Sequence, residues 1–430
     1  MLIEGERIAA VGRAAQIRIP AGARVIDAKG KYLIPGLMDA NVHLFLDLRP
    51  AILEKYEGRY DLLIEEAAQI TLRAGVTTVF DSWGPLEPLA AVRERIASGA
   101  VPGSRIFFAG NILGFGGPLS SDFLITRKPE DSSFTRKINA QWEQGVGPEL
   151  HWMTVAEVER AVARYLDTKP VDFIKYGASG HHDMKLLAFS REAQAAIVRL
   201  ARSRRKPVQA HTTSVESLRI ALAAGVDLLQ HCDVTGPVRM PRSLVELIKD
   251  QNVYCAVLPL TEWRLKYELE TLWQDTLWGE ILATKDVNDR KLIAAGAPLV
   301  LSTDGGVRAH DIARDPERGH WYRNRKDEPT RLGTAHFTWF EAMSERGYPP
   351  MSALLAATRN VAHAYGVLDE LGTIETGKLA DMLILGGNPL EDVSNYRRID
   401  QVIQNGRVVD RASLPRTPLL TARSDEHGPE

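Results

Sequence analysis

Eight short apolar runs between residues 38 and 304 constrain the fold of this chain more than any other feature. The runs lie at 38–45, 76–81, 105–110, 171–176, 207–211, 227–231, 253–258 and 299–304. Segments with helical periodicity lie between or after them, including 65–74, 190–202, 214–224, 242–250 and 350–365. Continuous apolar runs are typical of parallel strands covered on both faces, and strands that alternate with helices form parallel sheets. The pattern predicts an α/β fold, a (β/α)8 TIM barrel.

The two ends of the chain have a different texture from the middle. Short β-rich runs separated by Gly and Asn turns occupy 1–34, where 23–26 is one of the runs, and 367–412. We expect these two segments to form one small β-sandwich domain, which leaves 35–366 for the barrel. Residues 413–430 are rich in Pro, Ser and charge, so we expect a tail that is loose or draped over a partner.

Two connections are long, 111–154 after the third run and 259–285 after the seventh. Loops of this length after barrel strands usually shape or cover an active site. Both contain tryptophans, which fit plain packing beneath the loops and an apolar wall for a substrate about equally well.

Charge and composition narrow the class of partner. Lys and Arg number 53 and Asp and Glu 55, so the formal net charge is -2 and favours neither nucleic acid nor an anionic membrane. No segment has the length and purity of a membrane helix, and the first residues do not resemble a signal peptide. Two distant cysteines make a disulfide framework improbable. We expect a cytoplasmic protein that acts on a small molecule.

Polar side chains end five of the eight runs. They are Asn41 and His43, Lys175 and Tyr176, His211, His231, and Asp304. The carboxyl ends of barrel strands surround the bowl where barrel enzymes carry out catalysis, and residues two apart on a strand face the same side. A single histidine at a strand end is usually an ordinary hydrogen-bonding group. Five such ends on one rim indicate a common site.

The segments that carry these residues resemble the metal-dependent amidohydrolase superfamily. The matching segments are 33–43, Lys175, His211, His231, 302–304 and 372–382. The resemblance covers nearly the whole chain. It implies a metal-dependent hydrolase that attacks an amide, urea or (thio)carbamate carbonyl with metal-activated water.

The resemblance also implies a role for each strand-end residue. Lys175 would be a carboxylated lysine that bridges metal, with an ion pair to Asp304 as the alternative. His211 and His231 would bind one ion through neutral nitrogens, and His43 would bind on the first strand. Asp304 would bind metal or carry a proton from the attacking water to the leaving amine.

The chain departs from the family at Asn41, where relatives usually have a first histidine two residues before the second. An amide oxygen is a weaker ligand than imidazole for Zn²⁺, Co²⁺ or Fe²⁺. We therefore expect one tightly bound divalent ion (Zn, Co, Fe or Mn), with Asn41 as a weak ligand or a hydrogen-bonding group beside the ligands. The Asn-x-His pair resembles a subgroup that includes phenylurea hydrolases and molinate hydrolase. This implies an apolar aryl or N-alkyl substrate with a non-peptide C–N bond.

Three further residues are candidates for polarising the substrate carbonyl or positioning the leaving group, namely Tyr176, His181 and His336. Loop hydrogen bonds or salt bridges are the alternative for each. His181 is preferred to its neighbour His182.

Two other functions stay open. A dipeptidase or N-acyl amino acid hydrolase of the same superfamily would need a cation for the substrate carboxylate, and Arg264, Arg308 and Arg323 lie in suitable loops. A non-enzymatic barrel would be free to lose its ligands, yet Lys175, His211, His231 and Asp304 all remain. Relatives usually have another strand before the segment that 1–12 resembles, so we expect a homo-oligomer that covers the exposed edge.

Overall fold

The computed structural model describes residues 1–124, 131–316, 319–324 and 326–422. Its strands are β1 (Leu2–Glu4), β2 (Arg7–Ala10), β3 (Tyr32–Pro35), β4 (Leu37–Phe45), β5 (Val76–Asp81), β6 (Arg105–Phe108), β7 (Ile112–Leu113), β8 (Ile174–Gly177), β9 (Val208–His211), β10 (Leu228–Gln230), β11 (Tyr254–Val257), β12 (Leu299–Leu301), β13 (Gly305–Val307), β14 (Met382–Leu385), β15 (Ile399–Gln404) and β16 (Arg407–Val408). Its α-helices are α1 (Pro50–Lys55), α2 (Tyr60–Arg73), α3 (Leu86–Ala97), α4 (Ser133–Glu143), α5 (Val155–Thr168), α6 (Arg191–Ser203), α7 (Val215–Ala224), α8 (Arg242–Asp250), α9 (Glu262–Tyr267), α10 (Leu277–Ala295), α11 (Gly319–Tyr322), α12 (Ala335–Glu345), α13 (Pro350–Ala356) and α14 (Arg359–Ala364).

The parallel strands form the expected barrel. One sheet has the order β12–β11–β10–β9–β8–β7 and the other the order β13–β4–β5–β6. The third and eighth predicted runs contain β6 and β12, and a short strand that the sequence did not predict follows each, β7 and β13, and pairs in the other sheet. β4 and β8 are buried along their whole length, as strands covered on both faces should be. The TIM barrel predicted from the sequence is confirmed.

Hydrogen bonds close the barrel where its first and eighth strands meet. The backbone N–H of Asp304 donates to the carbonyl of Asn41 at 2.9 Å. The side chain of Asp39 accepts from the backbone N–H of Thr303 at 3.1 Å and from its hydroxyl at 2.6 Å. This seam brings Asp304 against the end of β4.

The helices begin where the sequence favours it. Ser190 and Ser214 precede α6 and α7, and each side chain accepts a hydrogen bond from a backbone N–H in the first turn. The stretch 350–365 differs from the expectation of one helix. It divides into α13 and α14 because the backbone of Thr358 leaves the helical region, with φ -140° and ψ -92°.

Both ends of the chain contribute to the small antiparallel sheet. Its order is β16–β15–β14–β3. The separate hairpin β1–β2 is connected to the segment before β14 by an isolated β-bridge between Arg7 and Leu379. Ile8, Met382 and Ile403 share its apolar core. The expectation of a strand at 23–26 is wrong, since these residues form no strand and Val25 is 69% exposed.

The segment 414–422, which we call the C-terminal strap, is not loose. It runs along α2, where the carboxylate of Glu66 accepts from the backbone N–H groups of Leu420 at 2.9 Å and Thr421 at 3.0 Å. The carbonyl of Leu420 accepts from the backbone N–H of His310, in the loop after β13. The expectation of a loose tail is therefore wrong up to residue 422, and 423–430 lie outside the described residues.

The two tryptophans of the first long connection differ in their burial. Trp142, on α4, is fully buried against Phe45 and Tyr60, which is ordinary packing. Trp152 is 92% exposed. Residues 125–130 of this connection lie outside the described part of the chain.

Among the helices that are described, none combines the length and apolar character needed to cross a membrane.

Candidate metal centre

The ends of five strands place six predicted residues at one mouth of the barrel. They are Asn41, His43, Lys175, His211, His231 and Asp304. Direct contacts join Asn41 to both Lys175 and Asp304. The rings of His211 and His231 are 4.4 Å apart between centroids, and both interact electrostatically with Asp304. The structure thus brings together the whole group that the sequence predicted.

Asp304 is the acceptor of two first-strand side chains. Its Oδ1 accepts from Nδ2 of Asn41 at 2.7 Å and lies 3.1 Å from Nε2 of His43. Nδ1 of His43 donates to the carbonyl of Trp83 at 3.2 Å, so both ring nitrogens of His43 face acceptors. Although burial would raise it, the pKa of Asp304 is held well below its ordinary value by His43 and by the charge of Lys175.

Lys175 is buried at the end of β8 and meets a hydroxyl and an amide. Its Nζ donates to Oγ of Ser82 at 3.0 Å and to Oδ1 of Asn41 at 3.4 Å. Burial lowers its pKa to about 8, while the negative charges of Asp304 and Asp81 oppose this effect. A fraction of the amine is therefore neutral near pH 8, which is the form that can react with carbon dioxide.

His211 and His231 are kept neutral. Burial, and secondly the neighbouring His231, lower the pKa of His211 well below its ordinary value, and burial also lowers the pKa of His231. Nδ1 of His231 donates to the carbonyl of Thr212 at 2.9 Å, which leaves Nε2 with a free lone pair. In the part of the chain that the structure describes, the buried Nε2 of His211 has no hydrogen-bond partner. Both rings can therefore act as ligands.

Two residues of this group have left-handed backbones. His231 has φ 37° and Asp304 has φ 48°. Non-glycine residues rarely adopt positive φ, and such strain concentrates at functional sites. The direction of the two side chains thus depends on a strained backbone conformation. Hydrogen bonds at the strand ends must hold that conformation in place.

Of the three further candidates, the structure brings only His181 to the mouth. Its ring lies 5.6 Å from that of His211, and its Nδ1 donates to the carbonyl of Asp122 at 2.7 Å. Nε2 is therefore an acceptor. Burial and the neighbouring His182 lower the pKa of His181, which keeps it neutral.

Tyr176 and His336 lie elsewhere. The hydroxyl of Tyr176 is 3.0 Å from Oε1 of Gln194 on α6, so this side chain faces the helices and not the mouth. Nε2 of His336 donates to the carbonyl of Ala74 at 3.1 Å. Ala74 precedes β5, so His336 lies near the amino-terminal ends of the strands, opposite the mouth. The structure therefore corrects the role expected of both residues.

The sequence analysis missed residues at the end of β5. Asp81 accepts from the backbone N–H groups of Leu44 at 2.7 Å and Trp83 at 3.1 Å, and it is buried beside His43. Ser82 contacts both Asn41 and Lys175. The signal was present, because Asp81 and Ser82 end an apolar run in the same way as the residues that were recognised.

Aromatic rings border one side of the mouth. Trp83 stacks on Phe123 with centroids 3.9 Å apart, and Phe123 lies 4.8 Å from His181. Phe115 stands edge-on to His211 at 5.1 Å. We call Trp83, Phe115 and Phe123 the aromatic wall. The first long connection thus places phenylalanines, and not tryptophans, next to the candidate ligands, and Phe123 is the member of the aromatic wall that is partly exposed.

A barrel with this ring of histidines, lysine and aspartate at its carboxyl-terminal mouth defines a class of proteins, and comparison with known families identifies it. The model of the amidohydrolase family matches residues 32–409. The chain belongs to the amidohydrolase family.

Solved structures narrow the likeness within that family. The chain is similar to molinate hydrolase, with 37% identity, a TM-score of 0.89 and coverage of 99% of this chain and 92% of the other. It is also similar to phenylurea hydrolase B, with 37% identity, a TM-score of 0.90 and coverage of 98% and 94%. A Xaa-Pro dipeptidase is 24% identical with a TM-score of 0.72 over 95% and 93%, and that likeness shows the fold alone.

Curated relatives match over a shorter stretch. The imidazolonepropionase of Geobacillus sp. (strain WCH70) is 34% identical over 137 residues, which is 30% of this chain. The match spans 26% of that protein's length.

Members of the family are metal-dependent, and the mouth residues offer donors for a divalent ion. Within the described ranges, no three His, Cys, Asp or Glu side chains stand together as a complete ligand set. The unpartnered Nε2 of His211, the free lone pair of His231 and the anionic Asp304 are nevertheless ligands of the kind that Zn²⁺, Co²⁺ and Fe²⁺ accept. The donor set fits a metal if Lys175 completes it.

Proposed function

We propose that this protein is a metal-dependent hydrolase of non-peptide C–N bonds in apolar amides, ureas or (thio)carbamates. One observation carries the proposal. His211 is buried at the barrel mouth with Nε2 unpartnered among the described residues, beside a second neutral histidine and an anionic aspartate. Burying a polar nitrogen without a partner is costly unless a ligand uses it.

His211 and His231 would hold the ion together with Asp304, His43 and Lys175 in its carboxylated form. A bound divalent ion polarises a carbonyl and makes water a nucleophile near neutral pH. Asp304 would accept a proton from the attacking water and deliver it to the departing amine. Nε2 of His181 accepts the N–H of the leaving group and so positions it.

We propose one tightly bound ion per chain. The support is the orientation of Asn41, whose amide NH₂ faces Asp304 and whose oxygen faces Ser82 and Lys175. An NH₂ group is not a metal ligand. Metal analysis of the purified protein should find one equivalent, and Asn41→His should raise it toward two. Two tightly bound ions in the unaltered protein would refute the single-ion proposal.

The surroundings favour a neutral substrate over a dipeptide. Arg264 is buried in an ion pair with Glu268 at 2.6 Å. Arg308 is partly buried, with its guanidinium 3.8 Å from the carboxylate of Glu328 and over the ring of Tyr322. Two of the three arginines considered for a substrate carboxylate are thus engaged with protein groups, while the partly exposed ring of Phe123 offers an apolar contact.

A substrate panel tests the proposal. The protein, reconstituted separately with Zn²⁺, Co²⁺, Fe²⁺ or Mn²⁺, is assayed against anilides, phenylureas, thiocarbamates, dipeptides and N-acyl amino acids. We expect metal-dependent release of amine from neutral aryl or N-alkyl compounds. Turnover confined to the carboxylated substrates would favour the peptidase, and no turnover with any bound ion would favour a barrel without catalysis.

We further propose a cytoplasmic homo-oligomer. Within the described residues, β1 pairs only with β2, so this hairpin presents a strand edge that a second copy can cover. Light scattering coupled to gel filtration gives the subunit count, and a monomer at micromolar concentration would contradict this part.

A further inference from the structure

Ser82 is a fully buried hydroxyl between two candidate site residues, and the mechanism above gives it no role. Its Oγ–H donates to Oδ1 of Asn41, and the same oxygen accepts from Nζ of Lys175 at 3.0 Å. The single hydroxyl proton and a lone pair are thus both used.

These contacts decide which way the Asn41 amide points. The oxygen of the amide faces two donors, Ser82 and Lys175, and the NH₂ group donates to Oδ1 of Asp304 at 2.7 Å. In the flipped orientation the amide oxygen would face the Asp304 carboxylate, and the NH₂ group could no longer donate to it. Two oxygens that both carry negative charge repel each other at short distance in a buried site, whether or not Lys175 is carboxylated.

The backbone around Ser82 is fixed independently of this hydroxyl. The N–H of Ser82 donates to the carbonyl of Val42 at 3.1 Å. The carboxylate of Asp81 accepts from the N–H groups of Leu44 and Trp83 and so ties the end of β5 to β4. Removing the hydroxyl should therefore leave the turn in place and change only what the hydroxyl touches.

We infer that Ser82 is a positioning residue: it locks the Asn41 amide with its NH₂ toward Asp304, and through Asn41 it sets the orientation of the carboxylate that moves the proton. This deepens the proposed function and rests on it. Without the hydroxyl, the amide oxygen would keep only the longer 3.4 Å contact from Nζ of Lys175, and carboxylation of Lys175 would weaken that contact as well.

A double-mutant cycle tests the inference. Ser82→Ala should lower kcat by about 10- to 100-fold with KM changed less than about 2-fold, the range typical of groups that orient metal-site residues. The same substitution in an Asn41→Ala background should cost less than about 2-fold, because the amide it orients is gone. Equal losses in both backgrounds would overturn the inference. Ser82→Thr keeps a hydroxyl and should recover most of kcat.

A second measurement does not depend on turnover. Co²⁺ titration followed by visible absorption should give Ser82→Ala and Asn41→Ala the same altered spectrum, since both change the orientation of Asp304. A spectrum of Ser82→Ala identical to that of the unaltered protein contradicts the inference. Thr78→Val is the matched control, because Thr78 is fully buried on β5, the strand that Ser82 directly follows, and its hydroxyl lacks a partner among the described residues. It should leave both kcat and the spectrum unchanged.

The experiments distinguish a failure of the positioning role of Ser82 from a failure of the proposed function. If the unaltered protein binds Co²⁺ and turns over a substrate but Ser82→Ala behaves in the same way, the positioning role is wrong and the proposed function stands. If the unaltered protein binds no metal and hydrolyses nothing, the proposed function fails, and the positioning role fails with it.

Discussion

His211 and His336 are both buried histidines, at opposite ends of the barrel. Burial lowers the pKa of each, well below the ordinary value for His211 and to about 3 for His336. They differ in the hydrogen-bond partner of Nε2. Nε2 of His336 donates to a backbone carbonyl, whereas Nε2 of His211 has no partner within the described residues and stands beside His231. A buried, neutral imidazole is therefore not by itself a sign of function, and an unsatisfied nitrogen among other ligands is.

The largest effect should follow from His211→Ala. A metal ion supplies several kcal/mol of transition-state stabilisation, so its loss should lower kcat/KM on the order of 10³-fold. The amount of metal bound per chain should fall together with the activity. Enzyme assays and metal analysis on the same preparation check this, with the exposed His363→Ala as control. Full metal content and activity in His211→Ala would erase the difference between the two histidines.

His336→Ala should act on stability and not on chemistry. It removes a buried ring and leaves the carbonyl of Ala74 without its donor, so the free energy of unfolding should fall by about 2–4 kcal/mol. Chemical denaturation measures this loss. The metal content and kcat of the folded fraction should not change, and a selective loss of kcat would show that His336 has a catalytic role after all.

The same residue should leave a mark on the pH dependence of stability. Because burial lowers the pKa of His336 from 6.5 to about 3, the unfolded chain binds a proton between these values that the folded protein does not. The free energy of unfolding therefore rises with pH in this window and falls on acidification, by about 1.4 kcal/mol per pH unit. The stability difference between the unaltered protein and His336→Ala should shrink by about 2 kcal/mol from pH 7 to pH 5. A constant difference would contradict this explanation.

The smallest effect concerns the surroundings of His211. Phe123→Ala removes one ring of the aromatic wall, and a lost aromatic contact is worth about 0.5–1.5 kcal/mol. The kcat/KM for an aryl substrate should fall about 2- to 10-fold, with little change for a small N-alkyl substrate. Competition between the two substrates measures the ratio directly. An equal loss for both would place Phe123 outside the substrate site.

The sequence was sufficient for the barrel and for the six strand-end residues, because strand ends in a parallel barrel meet at one mouth. Simple alternation along β8 would also have excluded Tyr176, since it follows Lys175 and must face the other side. The position of His336 depended on how the chain returns to the barrel after the last strand, which periodicity does not encode. Ser82 was missed because a buried serine is common and its partners are distant in sequence.

The C-terminal strap is synthesised last, so the contacts it makes with α2 and with the loop after Asp304 can form only when the chain is nearly complete. A ribosome releases Leu420 and Thr421 long after every candidate ligand, yet Leu420 accepts the hydrogen bond of His310 in the loop beyond Asp304. Until those residues emerge, the Glu66 carboxylate lacks the amide donors that later bind it. A chain truncated before residue 420 would keep all six mouth residues and still lack the brace on the loop that follows Asp304.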